Sequence, residues 1–172
     1  MENQPNVQET SFTQAIMSPD DMLAHWQGHR ALTRRVIEAF PEDKLFNYSI
    51  GGMRPFAQLA LEMMDLSEPG IVGMATGDWG SGDTWNHSPE KAGIKTKQDI
   101  LKKWDEITLK IQTIWPQIPI QRFQEVDVAF GQYKDKIFAT LLYFIDNEIH
   151  HRGQGYVYLR SLGIEPPAFW ER

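Results

Sequence analysis

Five histidines (His25, His29, His87, His150 and His151) and no cysteine in 172 residues set the range of chemistry open to this chain. Without thiolates, any metal site must be built from nitrogen and oxygen ligands. The densest polar segment runs Asp146-Asn147-Glu148-Ile149-His150-His151-Arg152-Gly153-Gln154. Within it, Asn147 and His151 stand at i and i+4, the spacing that brings two ligands together on a helix. Helical periodicity places that pair at one edge of the buried face and sends His150 outward. Glu148 and Arg152, also i and i+4, fall near the centre of that face. They read either as a pair that fixes helix register or as an acid/base or anion contact beside a site. Earlier in the chain, His29 falls near the centre of an apolar face, beside Trp26 and Thr33. It is either a core histidine bonded to a neighbour or a ligand or base inside a helical bundle. Glu62 lies toward the edge of the stripe Phe56, Leu59, Met63 and Leu66, where an ordinary solvated glutamate fits. The usual signatures are missing: there is no His-Glu-x-x-His, no P-loop and no Gly-x-Ser-x-Gly elbow.

Those side chains have to be carried by helices. A first helix opens at Ser18-Pro19-Asp20-Asp21, with a cap, a proline and two acids in the favoured places. It puts Met22, Trp26, Val36, Ile37 and Phe40 on one face and stops at Pro41. Residues 42–53 read as a connection. A second helix from Phe56 is expected to end at Glu68-Pro69-Gly70. The next stretch, Ser67 to Lys95, holds six glycines together with Trp79, Trp85 and His87, and reads as an ordered loop packed over the site as a lid. A third helix follows Thr96, with Ile100, Leu101, Trp104, Ile107, Ile111 and Trp115 in a 3-4 rhythm. Residues 120–130 partly alternate and suggest a short extended piece. The fourth helix is expected from Lys134 to Leu162, with Gly163 as its stop and Gly153 and Gly155 as bends. Four amphipathic helices and no convincing sheet predict an all-α four-helix bundle with a long loop between helices two and three. A loose N-terminal leader, 1–17, precedes a single domain over 18–172.

Composition narrows the classes further. At about 150 residues per domain the length allows one core. Zero cysteine excludes a disulfide scaffold or an iron–sulfur protein. Seventeen basic against 23 acidic residues, a formal charge of −6, speaks against a nucleic-acid partner. The longest apolar run, Ile137 to Ile145, is too short to span a bilayer, and the first residues lack the pattern of a signal peptide. A cytoplasmic protein without a membrane partner is expected.

The run Glu148-Ile-His-His-Arg-Gly-Gln-Gly-Tyr-Val-Tyr-Leu-Arg-Ser-Leu-Gly-Ile-Glu-Pro-Pro-Ala-Phe169 resembles the closing helix and tail of the DinB-like (YfiT-like) metal-dependent hydrolases. The first helix and the Arg54–Glu62 segment fit as well, so the resemblance covers roughly residues 20–170. It implies a four-helix bundle, often a homodimer, holding a divalent metal, zinc or nickel first and manganese or iron second. It further implies one ligand on helix two and a pair on the last helix. By position these are Glu62, Asn147 and His151, of which only His151 keeps the family's histidine; His29 would supply a further nitrogen. Glu148 would act as general base, and Trp26, Trp79, Trp85, His87 and Arg152 would line or cover the pocket. Characterised relatives are thiol-dependent S-transferases or isomerases. The implied substrate is therefore a small molecule, with a low-molecular-weight thiol that must arrive as a cosubstrate. The family's name comes from induction by DNA damage and implies no DNA binding. The alternative is a metal-free ligand-binding or dimeric stress-response protein with a degenerate site.

Overall fold

The computed structural model describes residues 16–80 and 87–172. The expected leader, apart from Ile16 and Met17, and Trp85 therefore lie outside the described residues. Helix α1 spans Pro19–Ala39 and opens with a capping box. The Ser18 hydroxyl accepts from the Asp21 amide, and the Asp21 carboxylate accepts from the Ser18 amide at 2.9 Å. The region expected as a plain connection forms a short helix, α2, over Glu42–Asn47, which buries Leu45. Helix α3 spans Phe56–Thr76, and α4 spans Lys97–Ile114 behind a second capping box, Thr96 with Asp99. Two short 3₁₀ turns, Trp115–Gln117 and Ile120–Gln124, lead into an antiparallel hairpin of β1 (Val126–Ala129) and β2 (Tyr133–Lys136). Helix α5, Ile137–Ser161, closes the fold. Helix α1 packs on α4 and α5, and α3 packs on the same two, around one core. The chain is thus mostly helical with one small sheet.

Three expectations are corrected. The second helix does not stop at Pro69 but runs through it to Thr76, capped by Gly77 in the left-handed conformation at φ 81°. Pro69 removes one backbone N–H, a local loss that tertiary burial of the continuing face outweighs. The glycines that looked like terminators are close-approach points. A Cβ on Gly70 would come within 2.5 Å of the Phe144 ring, and one on Gly73 within 2.2 Å of Trp79. The stretch expected as a lid therefore gives up its first residues to α3, which ends at the Gly77 cap. Secondly, a hairpin exists, and it takes Tyr133–Lys136, so the last helix begins at Ile137 rather than Lys134. Thirdly, Gly155 lies inside a continuous α5, where a Cβ would meet the Phe56 ring at 2.5 Å. It lets α5 approach α3 closely. No helix among the described residues is long and apolar enough to cross a membrane.

Candidate functional site

Helices α3 and α5 approach each other along a polar edge. On α3, Gln58, Glu62 and Asp65 recur at intervals of four and three and are all partly exposed. On α5, Asn147, His151 and Gln154 recur in the same way. The edges meet where the His151 Nε2 lies 3.0 Å from Glu62 Oε1 and the Asn147 Nδ2 lies 3.3 Å from the same oxygen. The other carboxylate oxygen, Oε2, accepts from the Arg54 guanidinium. The hydrogen bond from His151, reinforced by Arg54, holds the Glu62 carboxyl far below the usual carboxylate range, against the opposing pull of burial. Glu62, Asn147 and His151, the trio named from the sequence, are therefore brought together.

His151 is held from both sides. Its Nδ1 faces Gln154 Oε1 at 3.0 Å, and the Gln154 amide nitrogen faces His150 Nε2 at 3.3 Å. With Nδ1–H donating to Gln154, the Nε2 lone pair points at the carboxylate. In that tautomer a proton or a metal ion lies between the two atoms 3.0 Å apart; with the Gln154 amide rotated, Nδ1 accepts from it and Nε2–H donates to Glu62. Asn147 adds a related observation, since its Oδ1 is buried without a hydrogen-bond partner. Rotating that amide by 180° would put Oδ1 beside Glu62 Oε1, where it too would need a cation.

His29 does not join this trio. It is buried, as its periodicity predicts, but it faces other partners. Arg152 Nη2 lies 2.9 Å from its Nδ1, and Nε2 lies 3.2 Å from His25 Nε2. Arg172 Nη1 stands 3.0 Å from Nε2, so a guanidinium faces each ring nitrogen and a metal cation has no access to either. Burial first, then the Arg152, His25 and Arg172 charges, push the His29 pKa down to about 4.

Glu148 is likewise placed elsewhere. It sits on the α1-facing side of α5, 2% exposed, where the Thr33 hydroxyl donates to Oε1 at 2.6 Å. Arg30 and Arg152 flank it at 3.8 Å each. Burial pushes its carboxyl up; Arg30, the Thr33 bond and Arg152 oppose that. Arg152 also donates to Thr33 Oγ1 at 3.1 Å, and Arg30 donates to Thr108, Ser67 and the Trp104 carbonyl while lying 4.0 Å above the Trp104 ring. The register-fixing reading of Glu148 and Arg152 describes this cluster, and a general base at the Glu62–His151 edge does not.

The expected lid is also redistributed. Trp26 is fully buried against Trp115, and Trp79 is a core residue packed on Gly73 and Phe130. Among the described residues expected in the lid, His87 reaches the α3 edge. Its Nδ1 lies 2.9 Å from Asp65 Oδ2, one helical turn from Glu62, and its backbone is left-handed at φ 47°. Sequence reasoning missed Arg54, Gln154, Asp65 and Arg30. Gln154 was within reach at i+3 from His151, and Arg30 at i+4 from Trp26. Arg54 was not, because it lies before the first turn of α3 and periodicity does not extend to it.

Comparison with known proteins gives the same family as the closing motif. The DinB family pattern matches residues 9–172. A DinB-like protein from Bacillus subtilis is similar at 22% identity and a TM-score of 0.67, over 88% of this chain and 97% of that one. A DinB-like protein from Bacillus cereus ATCC 10987 is similar at 14% identity and a TM-score of 0.70, with the same coverage. No curated protein matches. At these identities the solved structures speak for the fold, while the family match spans nearly the whole sequence: the chain belongs to the DinB family.

Proposed function

We propose that this protein is a metal-dependent enzyme of the hydrolase or thiol-transferase type, built on a four-helix bundle, with its ion held by Glu62, His151 and Asn147. Among the described residues no three His, Cys, Asp or Glu side chains form a metal cluster, so the third donor is an amide. The observation that carries the reading is the doubly held His151. An acceptor on Nδ1 that turns Nε2 toward a second donor is the outer-shell arrangement of metal-binding histidines. The 3.0 Å between Nε2 and Glu62 Oε1 matches two donors about 2.1 Å from an octahedral ion, which stand about 3 Å apart, and is shorter than the roughly 3.4 Å between donors of a tetrahedral one. With its amide rotated by 180°, Asn147 would turn Oδ1 toward Glu62 as the third donor. Zinc and nickel suit the imidazole, and manganese and iron tolerate the two oxygens.

When bound, such an ion lowers the pKa of a water or small thiol and so furnishes a nucleophile at neutral pH. The chain's own residues do the rest. Glu62 supplies the negative charge, Gln154 orients His151, and Asn147 contributes a neutral oxygen. His87, tied through Nδ1 to Asp65, is the titratable group that the loop places on this edge of α3. The test is metal content. Untagged protein is purified and titrated with Zn²⁺ and Ni²⁺ by calorimetry, with Glu62→Gln and His151→Ala as controls. One ion per chain is expected, lost in both variants. Binding that survives both variants, or no binding to the wild type, overturns the reading.

A second reading rests on the Arg54–Glu62 pair, which neutralises the carboxylate without a metal. A proton on His151 then completes the pairing, and the edge belongs to a metal-free ligand-binding protein. In that case wild-type protein stays free of metal, and small-molecule binding survives the loss of both Glu62 and His151.

We further propose a homodimer in the cytoplasm, supported by the outer face of α5. Phe138, Leu142, Ile149 and Val157 fall on one side of that helix, and all are exposed. A helix apolar on its outer as well as its inner face lacks a partner on the outside. Sedimentation velocity is expected to show a dimer that Ile149→Arg converts to monomer; a monomeric wild type overturns it.

A further inference from the structure

We propose that Glu171 and Arg172 form a strap that docks on α1 and is released when His29 takes a proton. The contact lies on the α1 side of α5 and does not rest on the metal reading. Its seat is Gly28, in the interior of α1, where a Cβ would meet the Arg172 Cβ at 3.2 Å. Glycine inside a helix is unfavourable, and the close passage of the strap is what this one permits. Two side chains of α1 hold the strap there. The Arg35 guanidinium donates to the Glu171 carbonyl and stands 3.5 Å from the Glu171 carboxylate. Arg172 Nη1 stands 3.0 Å from His29 Nε2. The first pair is exposed and holds weakly. The second reaches a ring that is only 3% exposed, so His29 is the buried latch.

The chemistry of the ring sets the direction. A neutral imidazole has one lone pair and accepts from one guanidinium at a time; a protonated ring accepts from neither and adds a positive charge. Among the described residues, the ring is faced by His25 from its own helix, Arg152 from α5 and Arg172 from the strap. Around these stand two carboxylates, each already engaged: Glu148 between Arg30 and Arg152, and Glu171 on Arg35. Arg152 is also bonded to the His29 carbonyl and the Thr33 hydroxyl, so it stays in place. Arg172 is exposed and its guanidinium meets the ring nitrogen, so it is the cation that leaves. Burial first, then those three neighbours, push the His29 pKa down to about 4. The strap is therefore docked at neutral pH and released in acid. Linkage makes the effect mutual: docking lowers the proton affinity of the ring, and loss of the strap raises it.

The experiment follows the His29 ring and the Glu171 and Arg172 backbone amides by NMR, in the full chain, from pH 7 to about 3.5. Arg172→Met removes the latch, and Gly28→Leu fills the seat without changing a charge. In the wild type the strap amides are expected to be as ordered as those of α1 at pH 7. They are expected to loosen at the His29 midpoint while the α4 amides stay fixed. Both variants are expected to loosen the strap at pH 7 and to raise the His29 midpoint by about one pH unit. Strap amides that are disordered in the wild type at pH 7, or still ordered once the ring is protonated, overturn the inference. Loosening that coincides with loss of the α4 amides overturns it too, since that is unfolding of the whole domain. So does a His29 midpoint that Arg172→Met leaves unchanged.

Discussion

Replacing Glu148 by alanine is expected to destabilise the protein by about 3–5 kcal/mol, the usual consequence of removing one partner from a buried charge cluster. The reason lies in what remains. Arg30 is fully buried and Arg152 is nearly so, and Glu148 is the carboxylate between them. Arg30 keeps its bonds to Thr108, Ser67 and the Trp104 carbonyl, and Arg152 keeps those to His29 and Thr33, yet both lose their compensating charge. Glu148→Gln keeps a partner for the Thr33 hydroxyl and should fall between wild type and Glu148→Ala. Thr33→Val removes a bonded hydroxyl and should cost about 1 kcal/mol. Urea unfolding at constant m-value reads all three. A loss below 1 kcal/mol for Glu148→Ala would mean that the hydrogen bonds of the arginines suffice without the carboxylate. Because Glu148 adjoins Asn147 and lies one turn from His151, the cluster also sets the rotation of α5 that points those two residues at Glu62. On the proposed metal reading, its loss would weaken Zn²⁺ binding along with stability.

Lowering the pH from about 6.5 to about 4 is expected to destabilise the fold through His29. Its folded pKa is pushed down to about 4 from an ordinary value of 6.5. Between those values the unfolded chain binds a proton that the folded chain refuses. Stability therefore rises with pH across that window and declines as pH falls through it, levelling off below about 4 for this group. Glu62 acts in the same direction but lower: its folded carboxyl is depressed, so its contribution is lost only as pH drops below the ordinary carboxylate range. His29→Asn keeps an acceptor for Arg152 without a titrating ring. Urea midpoints at pH 7, 6, 5 and 4 should slope for wild type and flatten above pH 5 for the variant. Equal slopes would place the proton uptake elsewhere.

The candidate site was legible in part because helical spacing is a local property. Asn147 and His151 at i and i+4, the inward Glu148 and Arg152, the outward His150 and the buried His29 all follow from 100° per residue, and the structure places each on the face that spacing assigns. The capping boxes at Ser18 and Thr96 were readable for the same reason, since caps lie within four residues of their partners.

What periodicity could not supply is which helix each face meets. His29 and Glu62 both looked available to His151. Packing assigns Glu62 to His151 and His29 to Arg152, because α5 presents one edge to α3 and its neighbouring face to α1. The same limit explains Pro69, Gly70 and Gly73. As local signals they end a helix, yet the Phe144 and Trp79 rings lie against them and the burial of α3 carries it onward. Residue order alone thus determined the helices, their inward faces and the nitrogen-and-oxygen character of any metal site. Tertiary packing decided the partners, because a contact between helices depends on distances that no local spacing encodes. It also brought Arg54 to Glu62 and set Glu148 against Arg30 on the side of α5 that faces α1.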